Sequence, residues 1–224
     1  MTAELRDPAE VFAAEIGWRP ALERTDLLGP PVAAALRALE ASSTQGAGLA
    51  RRARVVPIDP GHSDTGALNA RYSLDPEATG NCVLVAGRRT GQERIAACVV
   101  RATDSADINH VVKRRIDVRK ASFLPVERAV QMSSMAYGGI TPVGLPRDWR
   151  LLIDAAVAER ATVLIGSGVR HSKLLVPGAL LTALPGPRSS RAWACGRAPA
   201  RRAGSRPRTR NPGSALSPGS PERY

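Results

Sequence analysis

Apolar residues along the chain recur at two spacings, and the alternation between them sketches the elements. Val32, Leu36 and Leu39 fall at helical intervals in VAAALRALEAS behind Pro30-Pro31, a proline pair suited to a first helical turn. ARVVPID (53–59) is a short β-branched run and predicts a strand. Ser63, Asp64 and Thr65 offer N-caps for a helix through TGALNARYSL. NCVLVAG (81–87) and RIAACVV (94–100) predict two strands, with Arg88–Gln92 between them as a hairpin connection. Asp104 and Ser105 can cap ADINHVVKRRI, whose Ile108, Val111, Val112 and Ile116 share a helical face. A brief strand at Lys120–Phe123 comes next, then a helix opened by Pro125. LLID leads into a short helix AAVAER, TVLIG (162–166) and SKLLV read as buried strands, and PGALLTAL closes the series. Between the proline-led helix and the first strand, EASSTQGAGLARR (about 40–52) reads as a loop. Strands and helices mingle, with hairpins as well as crossovers. The fold class is therefore α+β, helices around a mixed β-sheet.

Composition changes this picture mainly at the ends. Residues 187–224 hold nine arginines against one acid, Glu222, and contain no Val, Ile, Met or Phe. Such a segment buries too little apolar area to offset its ordering entropy and is expected to be disordered. It carries +8 of the chain's +12, leaving +4 for residues 1–186, so the folded part is only mildly basic. The expected organisation is an N-terminal helical extension and loop (1–52), a central domain (53–186) and this tail. The N-terminus lacks an apolar signal region and no window is long and apolar enough to span a membrane, so a cytoplasmic protein with no membrane partner is expected. Three widely spaced cysteines, Cys82, Cys98 and Cys195, fit reduced thiols better than a disulfide framework.

Several chemistries fail for lack of their motifs. No GxxxxGK[ST] is present, and Gly166-Ser167-Gly168 lacks the third glycine of a dinucleotide loop. Ile165 stands where a nucleophile elbow needs glycine. His62, His110 and His171 are scattered and form no metal-ligand pattern, so neither metal nor other cofactor is expected. Only three lysines occur, Lys113, Lys120 and Lys173, which makes each of them a question.

The densest punctuation is MAYGGITPVGLP (135–146). Gly138 and Gly139 allow positive φ and close backbone approach, and Pro142 stiffens the second half of the run. Such a loop either joins a helix to a strand or aims fixed N–H groups into a cleft, where they suit a carbonyl or oxyanion. In order along the chain, IDPGHSDT (58–65), NCVLVAGRR, ADINHVVKRRIDVRKASF, MAYGGITPVGLP and LIGSGVRHSKLLVPGALLTALPG resemble the YbaK / prolyl-tRNA-synthetase-associated editing domains. These are α+β domains that hydrolyse the ester of mischarged aminoacyl-tRNA.

The resemblance spans roughly 55–186 and implies a pocket loop from Gly138 through Gly139, Ile140 and Thr141 to Pro142. It implies a second pocket loop at Gly166, Ser167 and Gly168. Family members carry a lysine where this chain has Asn81, so Asn81 offers neutral hydrogen bonds there, with Lys120 as a candidate substitute. Gly138, Gly139, Asn81 and Lys120 are thus the candidate catalytic set, and Arg88, Arg89, Arg114 and Arg115 the candidate tRNA contacts. The implied activity is trans-editing: water attack on the ester of a small amino acid (Ala, Ser, Cys or Pro) in a backbone-lined pocket. The expected partner is aminoacyl-tRNA, with a synthetase as a further candidate. Two alternatives stand beside it: a catalytically impaired module that binds aminoacyl-tRNA or a small ligand, and an RNA-binding protein acting through its basic tail.

Overall fold

The structure is a computed structural model that describes residues 5–186. The basic segment 187–224, with its expected disorder and Cys195, lies outside the described residues.

Two four-stranded sheets face each other. In the first, β1 (Arg19–Pro20), β2 (Arg54–Pro57), β8 (Ser172–Val176) and β7 (Val163–Gly166) lie side by side in that order, all antiparallel. In the second the order is β5 (Ala121–Phe123), β3 (Gly80–Arg89), β4 (Gln92–Arg101) and β6 (Arg150–Ile153). Here β4 and β6 run parallel and the other pairs antiparallel. The α+β class holds; its mixed sheet is the second of two. A parallel bridge between Thr79 and Leu164 ties the start of β3 to β7.

Strand periodicity sorts the side chains. Val55, Leu174, Val176, Val163 and Ile165 point into the space between the sheets, meeting Leu84, Ile95, Ala97, Val99 and Leu151. The alternate residues Val56, Leu175 and Leu164 face outward onto α1 (Pro8–Glu15) and α4 (Thr65–Tyr72), where Phe12, Leu68 and, just past α4, Leu74 cover them. Phe12 is wholly buried, with edge contacts to Trp18 at 5.4 Å and Tyr72 at 4.9 Å, so its burial alone contributes about 2–3 kcal/mol. On the far side of the second sheet, Val112, Ile116 and Val118 close over Val85, Cys98 and Leu152. The N-terminal residues belong to this architecture. Val32 and Leu36 of α2 (Pro30–Ser42) enter the central cluster, and β1 extends the first sheet.

Three local expectations are corrected. The expected loop at 40–52 is largely a helix, α3 (Thr44–Arg51). Ser43 ends α2 in an extended conformation, and its Oγ accepts the Gly46 N–H at 3.0 Å to start the next helix. Leu49 and Ala50 are buried, and a Cβ at Gly46 would lie 2.6 Å from the Leu39 carbonyl oxygen, so the glycine lets the helices touch. The 106–116 segment is capped by Asp107 rather than Asp104 or Ser105. It begins as a π-turn (Ile108–Val112) before α5 (Lys113–Arg115). Asp104 instead holds Arg101 at 2.7 Å. Arg88 and Arg89 complete β3, and the turn itself is Thr90-Gly91, both with positive φ.

The remaining helices are α6 (Val126–Ser133), α7 (Ala155–Ala158) and α8 (Gly178–Ala183). Among the described residues no helix is long and apolar enough to cross a membrane.

Candidate functional site

A cavity of about 430 Å³ opens where the start of α4, the start of β3, the turn at 137–140 and the paired ends of β7 and β8 converge. Asp64 caps α4, its Oδ1 accepting the Gly66 and Ala67 amides at 2.9 and 3.2 Å, and this fixes the Ser63–Thr65 wall. Gly80, Asn81, Cys82 and Val83 form the β3 wall. The third wall is the turn containing Tyr137, Gly138 and Ile140.

Glycines hold this turn against the neighbouring strand. A Cβ on Gly166 would lie 2.4 Å from the Gly139 carbonyl oxygen and 2.8 Å from that of Ile140. One on Gly139 would lie 2.3 Å from the Val169 carbonyl oxygen. The two backbones therefore touch, locked by a 2.8 Å bond from Gly168 N–H to the Gly139 carbonyl. Gly138, at φ +80°, turns its bare face toward Ser63 and Arg170. Among the described residues the Gly138 and Ile140 amides have no protein acceptor. The Arg170 guanidinium clamps the mouth, donating to the Tyr137 carbonyl at 3.1 Å and the Pro60 carbonyl at 3.0 Å.

Lys173 enters the same cavity from β8. It occupies the face of β8 shared with Leu175, directly across from Gly166 in the β7–β8 register. Only 5% of it is exposed, and its Nζ donates to the Ser63 carbonyl at 2.7 Å. Burial pulls its pKa down to about 8; Asp64 partly restores the charged form and Arg170 opposes it. The half-buried Cys82 is no match for it chemically: burial, and secondarily Cys98, push that thiol up and leave little thiolate. Among the described residues no group of three or more His, Cys, Asp and Glu side chains could hold a metal ion.

Residues 59–184, more than half of the chain, match the aminoacyl-tRNA editing domain family. The chain belongs to that family. The editing domain is similar in fold to a candidate trans-editing enzyme for prolyl tRNA synthetase. That likeness has a TM-score of 0.55 at 14% identity, over 72% of this chain and 96% of that one. A scaffold protein used for computational epitope grafting matches with the same TM-score at 16% identity, over 72% and 97% of the two chains. A hypothetical protein matches at TM-score 0.51 and 19% identity, over 58% and 85%. At these identities the likeness is one of fold. No curated protein is similar enough to the chain to count as a relative.

Within the editing domain, the residues expected from sequence separate into groups. Gly138, Ile140, Gly166 and Asn81 line the cavity. Gly139 lies behind the wall, its N–H bonded to the Ala136 carbonyl at 2.9 Å, so it is not an available oxyanion donor. Thr141 and Pro142 are buried and do not line the cavity; among the described residues Thr141 Oγ1 has no hydrogen-bond partner. Ser167 is also buried, bonded to Ser172 Oγ at 2.7 Å and Ser172 O at 2.9 Å. Gly168 packs on Gly29 at the foot of α2. These residues hold the pocket's backbone from behind.

Lys120 is exposed and does not line the cavity; its carbonyl abuts Gly87, well along β3 from Asn81. It does not substitute for a lysine at Asn81. Arg88 is seven positions from Asn81 on β3, about 24 Å away at ~3.4 Å per residue. Arg89 pairs with Asp117 at 3.0 Å, and Arg114 and Arg115 lie nearby in sequence, so this arginine group stands at the far end of the second sheet. Lys173 and Arg170 were missed. The signal for Lys173 was one lysine inside an apolar strand, SKLLV, in a chain with only three; Arg170, one of many arginines, carried none.

Proposed function

We propose that this editing domain hydrolyses the ester between a small amino acid and the 3′ end of a tRNA, acting as a free-standing trans-editing deacylase. The observation that carries this is the cavity itself. It is lined by main chain at Gly138 and Ile140, whose amides lack protein acceptors among the described residues, and Asn81 lines it as well. An aminoacyl ester is already activated, so a held water and fixed donors suffice. Water adds to the carbonyl carbon, the bond to the ribose oxygen breaks, and that oxygen takes the proton lost by the water. Preference for Ala, Ser, Cys or Pro over larger residues belongs to this reading as a discrimination by fit at the acyl end, since the cavity as a whole, at about 430 Å³, is larger than any one side chain.

The test is release of amino acid from tRNAs charged with Ala, Ser, Cys and Pro on matched and mismatched acceptors. Hydrolysis above buffer for at least one pair is expected; none across the panel overturns the proposal. A non-hydrolytic binding module has one observation behind it, the neutral amide of Asn81 on the β3 wall. That reading requires tight binding of charged tRNA without turnover.

A further inference from the structure

We propose that Lys173 is the group that receives the acyl carbonyl in this cavity, delivering its cation from β8 rather than from the Asn81 wall. The proposal rests on the deacylase reading and assigns the residue that reading lacks.

The placement is specific. Ser63 holds the Lys173 amine at 2.7 Å through its carbonyl, and the Ser63 Oγ lies 2.9 Å from where a Gly138 Cβ would stand. The amine therefore sits on the Gly138 side of the cavity. Its partner across the β7–β8 ladder, Gly166, has no side chain, which lets the 139–140 backbone pack beside β8 so that the turn and the amine line one cavity. An ammonium has three N–H donors. One goes to Ser63, and among the described residues nothing accepts the other two.

A structural role accounts poorly for this. Lys173 forms no ion pair within 4 Å among the described residues, although Asp64 attracts it, and Arg170 at the mouth repels it. A methionine of similar length would fill the same volume without a buried charge. Two unmatched donors beside an open cavity suit an incoming oxygen. A cation there stabilises the charge that develops on the carbonyl oxygen more strongly than the neutral Asn81 amide can. In the step, water oxygen bonds to the acyl carbon while the carbonyl electron pair moves onto oxygen, against the Lys173 N–H groups. Collapse of this adduct breaks the bond to the ribose oxygen, which takes the water's proton. Lys173 ends as it began.

The chain's three lysines make the test direct. The full-length protein, labelled with ¹³C only in lysine, is titrated with 3′-alanylamido-3′-deoxyadenosine, a hydrolysis-resistant mimic, and with 3′-deoxyadenosine as the control lacking the acyl group. The mimic is expected to shift the Lys173 Cε resonance and raise its titration midpoint, because an accepting carbonyl favours the charged amine. Lys113 and Lys120 should stay still, and the control should leave Lys173 unmoved. On the charged tRNA that wild type hydrolyses, Lys173→Met and Lys173→Arg should lower kcat about 100-fold or more with KM nearly unchanged. Binding of the mimic without movement of Lys173, or a loss confined to KM, overturns the assignment and leaves the deacylase reading standing. Neither binding nor hydrolysis by the wild type overturns both.

Discussion

Replacing Lys173 with methionine should make the protein more stable at neutral pH, and the gain should fade as pH rises. Burial lowers the pKa from its ordinary 10.5 to about 8. The folded value lies below the unfolded one, so between about pH 8 and 10.5 the unfolded chain holds the extra proton, and wild-type stability climbs with pH in that window. Below pH 8 both states are protonated and the whole penalty applies. At 1.36 kcal/mol per pH unit the buried charge costs about 3 kcal/mol at pH 7 and about 1 kcal/mol at pH 10. Methionine removes that cost but leaves the Ser63 carbonyl without its donor, a loss of about 1–2 kcal/mol. The net expectation is a Lys173→Met protein about 1–2 kcal/mol more stable than wild type at pH 7 and no more stable at pH 10. Urea unfolding of both proteins at pH 7, 8, 9 and 10 measures the difference, in which every other titrating group cancels. A difference that stays constant within about 0.5 kcal/mol across the series refutes the buried, partly desolvated amine. A variant that gains stability while losing turnover would show that the lysine is kept for the reaction.

Other expectations concern the walls and the mouth. Gly166→Ala drives a methyl into the Gly139 and Ile140 carbonyls and should cost about 1–3 kcal/mol, read as a melting temperature several degrees lower. An unchanged melting temperature would contradict the close approach of the two backbones. Arg170→Ala should reduce the salt dependence of tRNA binding by about one unit of slope and outweigh Arg89→Ala, because Arg170 stands at the mouth while Arg89 is paired with Asp117. An equal or larger effect at Arg89 would place the tRNA along the second sheet. Tyr137 is 61% exposed at the cavity rim, so Tyr137→Ala should weaken binding of a short single strand ending in adenosine by about 1–3 kcal/mol if its ring stacks on that base. Fluorescence anisotropy checks it, and unchanged affinity removes the ring from the interface.

Strand identity was legible because it is local. Runs such as VVPID, NCVLVAG and TVLIG cannot be amphipathic helices of useful length, and their β-branched content decides the matter. The helix at 44–51 was not legible, because its serines, threonine and glycines are also loop residues. Only the close approach of α3 to α2, where Gly46 meets Leu39, turns those glycines into packing positions. How strands divide between sheets depends on long-range pairing, here the antiparallel β2–β8 ladder between segments more than a hundred residues apart. The expected basic contacts failed to reach the cavity for a related reason. β3 runs to Arg89, three positions beyond Ala86, and carries Arg88 and Arg89 away from Asn81 as it does so.

The paired glycines of MAYGGITPVGLP illustrate how far a loop's sequence can be read. Their freedom of backbone was evident, but its use was not. Gly138 faces the cavity, Gly139 touches Val169, and Gly144, at φ +87°, rests on the Pro31 carbonyl at the foot of α2. Most of that punctuation thus fixes the turn against the second pocket loop and α2, making a rigid wall rather than a row of donors. A rigid neutral wall with few free amides can position an ester but supplies little charge. That division of labour is the reason the proposed role falls to Lys173, a lysine on β8 read in sequence as one polar residue in a buried run.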